Sequence, residues 1–205
     1  MKKPFVVNPL TVSAQSNSKK RLILDIRYVN KHLWKTSVKF EDIRTAMQFI
    51  NAKSFCFSFD IHSAYHHIDI YEPHTTKVTR PLITKWRGEG KNILMYLDDG
   101  LGSHPDEDVC TVMAAQAKQD LILSEFVPKN EKSTWQPIRQ IIFLGYVIDT
   151  DLEILGIPEK RLSKLSATID AIRLLINQNY RIHVKTIASL VGQIISMSLV
   201  MLLAL

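Results

Sequence analysis

Cysteine is nearly absent: Cys56 and Cys110 are the only two in 205 residues. Two thiols cannot frame a disulfide scaffold, so a reducing compartment is expected. Glycine is scarce as well, with seven in all and none before Gly88, and proline contributes eight. Those counts exclude collagen-like and low-complexity chains. The opening residues 1–8 contain no apolar run long enough for a secretory signal. The one long stretch without charge, the 19 residues 187–205, is interrupted by Ser189, Gln193, Ser196 and Ser198, and no basic residue follows it. A buried helix is expected there rather than a membrane span. The expectation is an intracellular protein, cytoplasmic or nuclear, with no membrane partner.

What is present suits a folded protein. At 46% hydrophobic and 22% charged, the chain can bury a sizeable core as one domain or one domain with an appendage. The net charge of +6 is unevenly spread. Residues 1–53 carry 11 Lys+Arg against 3 Asp+Glu, residues 54–150 carry 9 against 13, and residues 151–205 carry 6 against 4. A basic leading segment ahead of an acidic middle fits an anionic partner on one side and a bound cation on the other, although ordinary surface charge can give the same totals.

Periodicity places the elements. Residues 21–26 read as a strand, and 40–50 have helical spacing through Ile43, Met47 and Ile50. Residues 55–60 alternate with period two and end in Asp60, while 93–97 form a second apolar strand, followed by Asp98-Asp99-Gly100 as a tight turn. Pro105 opens a helix reaching to near Phe126, with Ser103 as its expected N-cap and Asp106, Glu107 and Asp108 suiting its positive start. Short strands are expected around 141–144, 146–148 and 154–157. A helix then begins at Pro158, with a stripe of Leu162, Leu165, Ile169, Ile172 and Ile176 that calls for a partner helix.

Asp60 ends one strand, and Asp98 and Asp99 end another. Side by side in an antiparallel sheet, these strands would crowd three carboxylates together, which costs free energy unless a cation sits among them. Hard oxygen donors suit Mg²⁺, and a pair of such ions can activate an attacking oxygen and stabilise a leaving one. His62 and His66 have ligand-like spacing but sit just past a strand end, so no metal role is assigned to them. Trp34, Trp86 and Trp135 are expected to anchor small cores rather than stack on bases.

Five segments, in order, resemble the motifs of reverse transcriptases. Residues 20–30 (Lys-Arg-Leu-Ile-Leu-Asp-Ile-Arg-Tyr-Val-Asn) are similar to the fingers motif, and residues 57–68, with their double histidine, to the first palm motif. Tyr96-Leu97-Asp98-Asp99 matches the tetrapeptide of that family, residues 129–133 its lysine motif, and Phe143-Leu144-Gly145-Tyr146 its primer-grip hairpin. The wording is closest to retrotransposons of the DIRS-like group.

The resemblance implies an α+β palm-and-fingers fold: an antiparallel palm sheet packed on helices, with partial thumb helices. It divides the chain into a fingers part (1–53), a palm with the Asp triad (54–150), and a palm–thumb hairpin with truncated thumb helices (151–205). It implies template-directed transfer of dNTPs to a primer 3′-hydroxyl on an RNA or DNA template, with two Mg²⁺ ions, or Mn²⁺ in their place. Asp60, Asp98 and Asp99 would hold the metals with the carbonyl of Ile61. Lys20 and Arg21 would clamp the triphosphate, and Arg offers it a planar fork. Tyr65 would pack under the sugar and disfavour a 2′-hydroxyl. Lys132 would neutralise or protonate the departing pyrophosphate, and Phe143 and Gly145 would position the primer. The alternative is a non-catalytic remnant that binds nucleic acid through its basic N-terminal region.

One interval departs from the family pattern. Asp98 follows Asp60 by only 38 positions, an interval in which the family also holds a strand, a Pro-Phe-Gly-type loop and a helix. Residues 76–82 resemble only the tail of that helix. An internal shortening of this kind, together with a C-terminal truncation, predicts weak or absent polymerase activity, since positioning supplies most of the rate in phosphoryl transfer.

Overall fold

The computed structural model describes residues 9–14, 20–25, 27–32, 41–61 and 75–203. Tyr65, His62, His66 and Trp34 lie outside them. The chain divides into two compact units, Met1–Lys39 and Phe40–Leu205.

In the first unit, β1 (Leu10–Ala14) and β2 (Lys20–Leu24) form an antiparallel pair, with Ser13 opposite Arg21 and Ala14 opposite Lys20. Asp25 closes the ladder, donating its N–H to the Pro9 carbonyl at 2.8 Å, and its carboxylate accepts from the Arg27 guanidinium at 2.6 Å. Arg27, at the start of the short helix α1 (Arg27–Asn30), thereby holds the Asp25 carboxyl down at about 2.

The second unit is built on a sheet of order β4-β5-β3-β6, antiparallel throughout. Its strands are β3 (Phe55–Asp60), β4 (Asn92–Tyr96), β5 (Asp99–His104) and β6 (Thr134–Ile138). β3 lies in the interior because Phe57 and Phe59 are buried on one face and Cys56 on the other. Phe57, Phe59 and Ile61 pack with Trp86 of α3 (Thr75–Gly88) and with Met113, Ala114 and Leu121 of α4 (Glu107–Leu123). Cys56 faces the other way, with Leu94 and Leu101, toward Ile43 and Ala46 of α2 (Ile43–Phe49) and Ile141 and Phe143 of β7 (Gln140–Phe143). Burial pushes the Cys56 thiol up to about 12 and the Cys110 thiol to about 11, so neither is a nucleophile at neutral pH.

Beyond the sheet, β7, β8 (Tyr146–Asp149) and β9 (Ile154–Gly156) form a three-stranded antiparallel meander. The helices α5 (Glu159–Asn177), α6 (Val184–Ile195) and α7 (Ser198–Leu203) follow it.

The structure corrects four expectations. The interval after Asp60 contains a full helix of 14 residues, α3, and not merely a helix tail. It persists around Pro81 because Leu82 and Trp86 are buried against the sheet, and the Trp86 indole donates to Asp120 of α4 at 2.8 Å. Burial pushes the Asp120 carboxyl up, but the Lys85 ammonium and Trp86 indole outweigh it and leave the group below its usual range. The N-cap of α4 is Asp106, whose Oδ1 accepts the Val109 N–H at 2.9 Å; Ser103 is instead buried in β5 and donates to the Phe49 carbonyl. The tight turn falls on Leu97–Asp98, which leaves Asp99 and Gly100 inside β5. Finally, α6 has no buried residue: α5 packs against one side of it, and Val184, Ile187, Val191, Ile194 and Ile195 of its apolar stripe remain exposed. Of the stripe on α5, Ile172 is buried while Leu162 and Ile176 are exposed. Among the described residues, no helix is long and apolar enough to cross a membrane.

Candidate active site

The pairing of β3 with β5 brings the acidic residues to one end of the sheet. Asp60 stands opposite Asp99 in register, and Asp99 stands opposite Tyr96 on β4. The Ile61 N–H donates to the Asp98 carbonyl at 2.9 Å, extending the ladder one step past the strand. Two-residue hairpins favour left-handed backbone, and here Leu97 takes it, with φ of 57°. A leucine there stores strain on the order of 1–2 kcal/mol.

The glycines that follow the aspartates have a spatial role. A Cβ on Gly100 would lie 2.1 Å from the Phe59 ring, and one on Gly102 would lie 2.3 Å from the Phe57 ring. Each glycine sits directly across from the phenylalanine whose ring covers it. The Asp-Asp-Gly-Leu-Gly run is thus a strand shaped for two aromatic rings.

The turn after α4 folds over Asp60. Ile61 bridges to Pro128, the Lys129 N–H donates to the Asp60 carbonyl at 2.7 Å, and the Asp60 N–H donates to Ser133 Oγ at 3.2 Å. The same hydroxyl donates to the Lys129 carbonyl at 2.6 Å. The Lys129 ammonium forms an ion pair with Asp60 Oδ1 and lies 3.5 Å from the Ile61 carbonyl, while the Lys132 ammonium stands 3.4 Å from Oδ2. Lys129 and Ser133 are the residues that sequence reasoning missed. Both lie in the lysine motif, but only the folded turn shows that Lys129 as well as Lys132 reaches Asp60.

Asp99 carries the electrostatic strain. Burial, then the nearby Asp98 and Asp60, push its carboxyl up to about 6, against the opposing pull of Lys132 and Lys129. Asp98 and Asp60 thus lie near enough to Asp99 to act on its charge, although among the described residues no three His, Cys, Asp or Glu side chains are arranged to hold one metal ion. The donors nevertheless fit a divalent cation, because the carboxylate of Asp60 and the carbonyl of Ile61 are hard oxygens already turned toward one positive charge.

A cleft of about 720 Å³ runs from Asp60, Asp99 and Lys132 to Phe143, Leu144 and Gly145. The Phe143 ring is buried and anchors its hairpin, whose turn uses left-handed backbone at Leu144 and Gly145. Arg161 of α5 holds the tip: it donates to the Gly145 carbonyl and to Ser196 Oγ, the latter at 2.7 Å, with its guanidinium over the Tyr146 ring. Trp86 is fully buried, and Trp135 stacks on Phe59 at 5.5 Å, so both serve the core as expected. Lys20 is exposed on β2 beside Arg21, within the first unit.

This mixed architecture, with carboxylates at paired strand ends facing a second hairpin across a cleft, is the fold of reverse transcriptase polymerase domains. Among solved structures, the foamy viral protease-reverse transcriptase in complex with double-stranded DNA superimposes with a TM-score of 0.69 at 14% identity, covering 94% of this chain. Its complex with an RNA/DNA hybrid gives 0.67 at 14% identity over 91%. The chain spans 36%, 43% and 27% of those three neighbours. No protein-family profile and no curated protein matches the sequence.

Proposed function

We propose that this chain is the fingers-and-palm part of a retrotransposon reverse transcriptase, of the DIRS-like group, that adds deoxynucleotides to a primer 3′-hydroxyl. The observation that carries this reading is the register of Asp60 opposite Asp99 at the mouth of a cleft that ends at the 143–146 hairpin. Residues 1–53 act as fingers, 54–150 as palm and 151–205 as the palm–thumb hairpin with truncated thumb helices.

Asp60, Asp98, Asp99 and the Ile61 carbonyl would hold Mg²⁺ or Mn²⁺. Bound there, two ions supply activation of the hydroxyl nucleophile and charge stabilisation of the leaving pyrophosphate. The protein's own residues do the rest. Lys20 and Arg21 clamp the triphosphate, Tyr65 excludes a 2′-hydroxyl, and the hairpin of Phe143 and Gly145 sets the primer end. Lys132, whose side chain is 60% exposed, would neutralise or protonate the departing pyrophosphate. With Asp98 only 38 positions after Asp60, template positioning would be reduced, and extension is expected to be weak or absent.

Primer extension on an RNA template with Mg²⁺ tests the reading. Asp98→Asn should lower incorporation by on the order of 100-fold or more while leaving nucleic-acid affinity unchanged. Incorporation that survives the substitution overturns the assigned site. A second reading, a non-catalytic remnant that binds nucleic acid through its basic fingers, is favoured by one observation: Asp60 is already neutralised by two lysines. RNA binding without extension by the unaltered chain is its outcome.

A further inference from the structure

We infer that Lys129 is a built-in counterion of the site: its ammonium holds the Asp60 carboxylate and the Ile61 carbonyl that a divalent ion would take, so that ion enters only by displacing it. The inference rests on the reading of Asp60 and Ile61 as cation ligands and adds a competitor to it.

Three features make Lys129 more than a passing surface contact. Its backbone is tied to β3, because the Lys129 N–H donates to the Asp60 carbonyl and Pro128 bridges Ile61. Its carbonyl is held by Ser133 Oγ, which also receives the Asp60 N–H, so the 129–133 turn and the strand end form one clamped unit. Its side chain is 18% exposed, whereas that of Lys132 is 60% exposed and reaches only the other carboxylate oxygen, at 3.4 Å. An ammonium anchored in this way returns to the same oxygens each time it is displaced. It offsets the repulsion among Asp60, Asp98 and Asp99 while no metal is bound, and it opposes the metal in proportion. Lys129 is therefore a positioning residue: it sets how much free divalent ion the site needs.

The experiment titrates the whole chain with Mn²⁺, following free ion by electron paramagnetic resonance without nucleotide or nucleic acid. Lys129→Met keeps the length of the side chain and removes the charge. It should tighten Mn²⁺ binding about tenfold or more, since a positive charge within hydrogen-bonding distance of the ligand oxygen is lost. Lys132→Met should shift it several times less, and Lys129→Arg should stay near the unaltered chain, which also guards against a folding defect. Thermal unfolding supplies the second readout: Lys129→Met should melt lower without metal and gain more from added Mg²⁺ than the unaltered chain does. Equal effects of the two methionine substitutions overturn the inference, as does no effect of either while Asp60→Asn still abolishes binding. In both of those cases Asp60 remains a metal ligand. Mn²⁺ binding that ignores Asp60→Asn removes the underlying reading as well.

Discussion

Gly100 shows how one residue ties the Asp98-Asp99 segment to its support. It needs no left-handed backbone; what it lacks is a side chain, and that lack leaves room for the Phe59 ring one strand away. Gly100→Ala should destabilise the second unit by about 1–3 kcal/mol in urea unfolding, the range for overpacking a close contact. Combining it with Phe59→Leu should return part of that loss, because the larger partner gives way. Asp99, the residue before Gly100, gives a pH dependence of defined sign. Its carboxyl is raised from 3.8 to about 6 in the folded state, so the folded chain binds a proton that the unfolded chain has released. Stability should therefore be higher below this window and fall as pH rises from 3.8 to about 6. Asp25 and Asp120, whose carboxyls are lowered, add slopes of the opposite sign, so the test is the difference: the urea midpoint of the unaltered chain minus that of Asp99→Asn, without metal, should follow this slope. A slope of the opposite sign in that difference would mean that burial and the neighbouring carboxylates do not govern Asp99.

At the scale of elements, the site depends on two hairpins, each turning on a leucine in left-handed backbone, Leu97 and Leu144. Strain at a hairpin tip persists where neighbours hold it, and at the second hairpin Arg161 does so from α5. Its guanidinium joins the Gly145 carbonyl to the end of α6 through Ser196. Arg161→Ala should remove charge-assisted hydrogen bonds worth about 1.5–3 kcal/mol and raise amide exchange at Gly145 and Tyr146 roughly tenfold or more. Exchange in β3 and β5 should stay unchanged. If the two regions speed up together, Arg161 supports the whole unit and not the hairpin.

For the whole molecule, charge distribution matters more than net charge. The excess of 11 Lys+Arg over 3 Asp+Glu in residues 1–53 is the feature that would meet a phosphate backbone. Affinity for an RNA/DNA hybrid should fall steeply with salt. Replacing Lys20 and Arg21 by alanine should flatten the logarithmic slope by about one for each phosphate that is no longer neutralised. An unchanged slope would move the binding face elsewhere.

Strand periodicity, the acidic strand ends and the order of the motifs were all legible in the sequence, because alternation, helical spacing and turn chemistry are local. They led to β3, to the β4–β5 hairpin and to Asp60, Asp98 and Asp99 without any tertiary information. Tertiary structure alone decided what lies against what. It moved the turn to Leu97, gave Gly100 its work under Phe59, made a full helix of 75–88 by burying Trp86, and set Lys129 on Asp60 across 69 residues of chain. Each of those outcomes rests on contact between segments distant in sequence, where burial and unlike charge act through space and leave no local pattern to read.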